Sequence, residues 1–140
     1  MTSPLSIRFD PALLERLRRR AMVLDTTPSG LAQRLIDEGL RSQEHPGIVF
    51  RDGPSGRRAA LVGGPDVWEV ISAVRMSGAK DEKRAITTVA GEMTLSSAQV
   101  QLALEYYGSF PAEIDGQVAE NDRVASEALE AWRARQRLLA

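Results

Sequence analysis

Apolar and polar residues alternate strictly over Leu5-Ser6-Ile7-Arg8-Phe9, and then the period changes. Period two predicts a short strand, buried at 5, 7 and 9 and outward at 6 and 8. Asp10-Pro11 follows and predicts a helix start, because the carboxylate accepts from unpaired amides and proline is preset for the first turn. Leu13, Leu14, Leu17 and Ala21 mark the apolar face of this helix. After Leu24-Asp25-Thr26, the pair Thr27-Pro28 repeats the start signal. Leu31, Ala32, Leu35, Ile36 and Leu40 then supply the spacing of a second amphipathic helix. The stretch Ser42-Gln43-Glu44-His45-Pro46-Gly47 breaks the pattern and predicts a boundary between modules.

Beyond the break, Ile48-Val49-Phe50-Arg51 and Arg57-Arg58-Ala59-Ala60-Leu61-Val62 read as two strands joined by the turn residues Asp52-Gly53-Pro54-Ser55-Gly56. Gly63-Gly64-Pro65-Asp66 launches a helix with Val67, Trp68, Val70, Ile71 and Val74 on its buried side. Met76 to Arg84 reads as a charged loop, and Ile86 to Gly91 as a short helical piece. Ser96-Ser97-Ala98-Gln99 is a capping box, which opens a helix with Val100, Ala103, Leu104 and Tyr107 on one face. Its outward positions Ser97, Gln101 and Glu105 include no cation, so protein binding or dimerisation is expected there rather than DNA contact. Pro111 starts a last helix with a stripe of Ile114, Val118, Ala125, Leu129, Trp132 and Leu139. The expected fold class is mainly α with short β elements (α+β), in three parts: 1–44, 45–110 and 111–140.

With 140 residues, 43% hydrophobic and 26% charged, the chain has the composition of an ordered protein of one domain or two small modules. The net charge is only −1, yet residues 1–60 carry +3 and the remainder −4. Cysteine is absent and His45 is the single histidine. These counts exclude disulfides and thiolate chemistry and weigh against a metal site or a Ser-His-Asp triad, so neither cofactor, metal nor catalysis is expected. Only Lys80 and Lys83 are lysines among 18 basic residues, a bias that points to a GC-rich bacterial genome. Met1-Thr2-Ser3-Pro4 does not open a signal peptide, and no window is apolar enough for a membrane span, so a cytoplasmic protein is expected.

A lone strand has no ladder partner, and a segment of about 40 residues buries too little surface to stand alone. A dimer resolves both problems if the strand pairs antiparallel with its twin, leaving Ser6 and Arg8 displayed twice on a ribbon that fits a major groove. The ordered set Leu5 to Pro11, Leu13-Leu14-Glu15-Arg16-Leu17, Thr27-Pro28-Ser29-Gly30-Leu31 and Leu35 to Leu40 resembles the ribbon-helix-helix (CopG/Arc/MetJ-type) family of dimeric repressors. The resemblance implies base contact by Ser6 and Arg8. It also implies a phosphate clamp from Thr27, Ser29 and the Gly30 amide at the start of the second helix. The family offers three polar ribbon positions, and here Pro4 takes one of them.

Residues 45–122 resemble a small helix-turn-helix-like domain found in bacterial antitoxin-like proteins. The matching stretches are Gly63-Gly64-Pro65-Asp66-Val67-Trp68, Leu95 to Tyr107 and Pro111-Ala112-Glu113-Ile114-Asp115. The chain departs from that pattern around Gly78–Arg84. Together the two resemblances imply a VapB-type antitoxin: a homodimer that represses its own operator DNA and neutralises a toxin, here expected to be a PIN-domain ribonuclease. In such a protein Trp132 would anchor the toxin, and Arg133, Arg135 and Arg137 would meet its metal-binding carboxylates. The plainer reading of those arginines is favourable interaction with the helix dipole. Two alternatives belong to other classes: a dimeric adaptor or assembly protein that reads no DNA, and a stand-alone transcriptional regulator.

Overall fold

The structure is a computed structural model and describes residues 2–54 and 56–140. Among these it contains six helices and one two-stranded antiparallel sheet, so the fold is mainly α with short β elements. Contacts divide the chain between Glu44 and His45 into two units.

The first unit holds α1 (Pro11–Val23) and α2 (Pro28–Glu44). The Asp10 carboxylate accepts from the Ala12 and Leu13 amides at 3.1 and 3.3 Å, as its place before Pro11 predicts. At the other end of α1, Asp25 takes a left-handed backbone (φ 53°). The Asp25 and Thr26 amides then donate back to the Met22 and Ala21 carbonyls, an arrangement that usually employs glycine. Among the described residues of this unit only Ala21 and Leu31 are fully buried. Residues 2–10 join no strand ladder in the single chain, so the strand expected over 5–9 is not formed there. A strand needs a neighbour for its amides, and neither α1 nor α2 can supply one.

The second unit begins with β1 (Ile48–Gly53) and β2 (Gly56–Leu61), paired from Ile48↔Leu61 to Gly53↔Gly56. The turn between them includes Ser55, which lies outside the described residues. Four helices follow: α3 (Val67–Ser77), α4 (Glu82–Met93), α5 (Ser97–Ser109) and α6 (Pro111–Leu139). The inward face of β2, one side of each of α3, α4 and α5, and Ile114 of α6 close one apolar core. The charged segment around Lys83 is not the loop its composition predicts. Asp81 accepts from the Arg84 amide at 2.9 Å and starts α4 there, so Glu82, Lys83 and Arg84 form a helical first turn. The short helical piece is therefore three turns long.

The α5 capping box is present in both directions, Gln99 amide to Ser96 Oγ at 3.1 Å and Ser96 amide to Gln99 Oε1 at 2.8 Å. The buried face of α5 is Val100, Ala103 and Tyr106, rotated from the expected face that ended on Tyr107. The rotation follows the rings. Tyr106 packs against His45 (5.3 Å between centroids), Phe110 (4.8 Å) and Phe50 (6.5 Å), and its hydroxyl donates to Glu113 at 2.9 Å. A buried phenol is tolerated because that donor is satisfied.

Two backbone positions generate predictions. Thr94 closes α4 with φ 55°, a conformation that a β-branched residue adopts only under strain. Thr94→Gly is expected to raise the unfolding free energy by about 1 kcal/mol, read by urea denaturation. Gly47 has φ 105°, and a Cβ there would stand 2.6 Å from Leu102 Cδ2. Gly47→Ala is expected to cost about 1–3 kcal/mol in the same measurement.

Candidate nucleic-acid and protein interfaces

Residues 2–8 are exposed, Ser6 and Arg8 among them, so both expected base-reading side chains are accessible. The strand residues expected to face a core are exposed as well, Leu5 at 81% and Ile7 at 52%. On the helices of the same unit Leu13, Leu35, Ile36 and Leu40 are each about half exposed. An open cleft of about 520 Å³ runs between α1 and α2, floored by Leu13, Leu17, Leu31 and Leu35 and rimmed by Arg16, Arg19 and Arg20. Arg19 faces Glu15 at 3.6 Å and Arg41 faces Asp37 at 3.2 Å, each one turn away on its own helix.

At the start of α2 the expected phosphate clamp is partly engaged within the chain. The Gly30 amide donates to Thr27 Oγ1 at 3.0 Å, and the Leu31 amide to the Thr27 carbonyl at 3.0 Å. Thr27 therefore acts as the helix cap, and its hydroxyl oxygen takes the place at Gly30 that a phosphate oxygen was expected to fill. Ser29 is exposed beside it, one residue into the helix.

The second unit carries two polar clusters that sequence spacing does not reveal. Asp66 accepts from Arg51 (2.9 Å) and from the Trp68 indole (3.1 Å), and Arg51 also reaches the Gly64 carbonyl at 2.8 Å. The Arg58 guanidinium lies 5.5 Å over the Trp68 ring, with its stem folded across Gly53. On the other side Arg75 of α3, Tyr107 of α5 and Asp115 of α6 meet. Tyr107 donates to Asp115 at 3.0 Å, while Arg75 donates to Tyr107 at 3.2 Å and also pairs with Asp115. The Arg75 contact holds the Asp115 carboxyl below the usual carboxylate range, and the carboxylate raises Arg75 in return. Each member comes from a different helix, so the cluster ties three helices together. Among the described residues no group of three or more His, Asp and Glu side chains is placed to hold a metal ion. No helix is long and apolar enough to cross a membrane.

Ser97, Gln101 and Glu105 are exposed on α5, as their helical positions predict. Trp132, Arg133, Arg135 and Arg137 all lie on α6, and every residue of that helix from Asn121 onward is exposed. Ile114 and Val118 are buried, but Ala125, Leu129, Trp132 and Leu139, which continue the stripe, are not. Those four therefore do not pack on the core of their own unit. Arg123 bonds Glu120 and Glu127 at 2.6 Å each, bracing the helix where it leaves the core.

The Asp115 cluster fixes a pH response. A carboxyl held below its ordinary range stabilises the folded chain at neutral pH, and the contribution is lost as pH falls through the lowered value. Asp115→Asn is expected to lower the melting temperature at pH 7. The gap from the parent chain should close as the pH is taken below the usual carboxylate range, followed by circular dichroism melts across pH.

No family model, curated protein or solved structure matches this chain.

Proposed function

We propose that the chain is a dimeric, cytoplasmic DNA-binding repressor of antitoxin type, without catalytic activity of its own. The observation that carries this reading is the uncovered apolar face of the first unit. Leu5 and Ile7 are bare on a segment with no ladder partner, beside half-bare Leu13, Leu35, Ile36 and Leu40. A second copy supplies what is missing in one step: a strand for residues 5–9 and an apolar face for α1 and α2. Burying apolar area at about 25 cal/mol per Å² makes this the strongest force available to so small a unit.

Pairing of the two strands leaves Ser6 and Arg8 on the solvent side of the ribbon, where Arg8 meets a guanine edge in the major groove. Phosphate contact comes from Ser29 and the positive end of α2, with Thr27 retained as cap. The exposed end of α6 takes the toxin. Trp132 enters a pocket of the PIN-domain ribonuclease, and Arg133, Arg135 and Arg137 meet its metal-binding carboxylates.

The test is a gel-shift titration of the purified protein on its own upstream DNA at physiological salt, with scrambled DNA as competitor. Specific binding is expected. Arg8→Ala should weaken it by about 1–3 kcal/mol per operator half while the dimer survives in sedimentation. Equal, weak binding to both DNAs would overturn the repressor reading and leave the ribbon as a dimerisation arm of an adaptor protein.

A further inference from the structure

The exposed end of α6 is a continuation of a face that is already in use. Val118 is buried, and Ala125, Trp132 and Leu139 follow it at intervals of seven residues, which return a helix to within about 20° of the same direction. Leu129 lies beside them, and the carboxylates Glu127 and Glu130 fall on the opposite side. The helix thus leaves its own core with its apolar stripe intact and uncovered, Trp132 at 51% exposure.

We propose that this end of α6 pairs antiparallel with the same segment of a second copy. Charge order selects that partner and that direction. The segment from Glu120 to Glu130 carries a net −3, and that from Arg133 to Arg137 a net +3. Asp122 and Arg133 are eleven residues apart, about three turns, and so stand on one flank of the stripe. An antiparallel pair centred between Glu127 and Ala128 sets each Asp122 opposite the partner's Arg133. Two-fold symmetry makes this contact twice. It also lays the Trp132 indole over the small partner side chains around Asn121 and Ala125, where there is room for it. A parallel pair would instead lay the two acidic segments side by side, and likewise the two Arg133–Arg137 segments. The pairing does not rest on the repressor reading, and a toxin seated on Trp132 would have to displace it.

The chain has no cysteine, so single introduced cysteines in the full-length protein carry spin labels without background. Ser126→Cys lies near the centre of the proposed pair and Leu138→Cys near its end. Antiparallel pairing predicts a separation of about 15–20 Å between labels at 126, and more than about 30 Å at 138 from the helical rise alone. Short separations at both sites would overturn the antiparallel direction. No short separation at 126 would overturn the pairing, including the case in which α6 engages only a different protein. Asp122→Arg is expected to abolish the short distance, with helix content unchanged by circular dichroism, and adding Arg133→Asp to restore it. A distance indifferent to that charge swap would overturn the register. Gel-shift binding to upstream DNA reports on the first unit, so its loss leaves this result standing and the reverse.

Discussion

Tyr106 lies where the start of the second unit, its hairpin and its last two helices meet. Its ring is enclosed by His45, Phe50 and Phe110, and its hydroxyl is taken by Glu113 in the first turn of α6. A large ring with one polar atom can occupy that position only if the polar atom is paired, and the pairing fixes where α6 begins. The rest of the second unit is arranged around this demand. His45 reaches the ring from the start of the unit, Phe50 from the hairpin and Phe110 from the end of α5, and Ile114 of α6 joins the same apolar core. Outside this core, the Arg75–Tyr107–Asp115 cluster repeats the logic at the surface with charged groups, and it holds α3, α5 and α6 together.

The first unit is built to the opposite rule. Asp10 and Asp25 specify both ends of α1 and Thr27 the start of α2, yet the two helices enclose almost nothing. Good caps fix where a helix starts and stops and contribute on the order of 1 kcal/mol each, which does not replace a core. A unit with sharp local structure and an open apolar face leaves in water the surface that a core would bury. The far end of α6 is in the same condition, with local ion pairs holding the helix and no neighbour covering its stripe. The protein therefore has one closed apolar core and two surfaces whose apolar residues are left exposed.

The candidate site residues were legible in the sequence as positions, but their surroundings were not. Arg8 and Ser6 follow from a period of two, and Trp132 and its arginines from a helical stripe with charge at its end. The Thr27-Pro28 pair marks Thr27 as a cap, but a phosphate clamp uses the same residues in the same order, and only the fold shows the Gly30 amide bonded to Thr27. Asp66 and Glu69 look like chance carboxylates on a helix. In the fold, Asp66 holds Arg51 and Trp68, and the Glu69 carboxylate accepts from the Asp66 amide at 2.9 Å. The Glu69 and Trp68 contacts are local, but Arg51 reaches Asp66 only through the hairpin fold, which local pattern does not encode.

The sequence by itself determined the elements whose signals are local: the capped helices, the Gly-bounded hairpin and the break after α2. Each depends on residues within one or two turns of one another, so composition and spacing suffice. Only the tertiary structure decided that Tyr106 rather than Tyr107 enters the core, and that the α6 stripe runs on uncovered past Val118. Helical periodicity marks which side of an element is apolar, but it does not say how far along that side a neighbour reaches. That distance is set by where distant segments happen to end, and here the core ends two turns into a helix of eight.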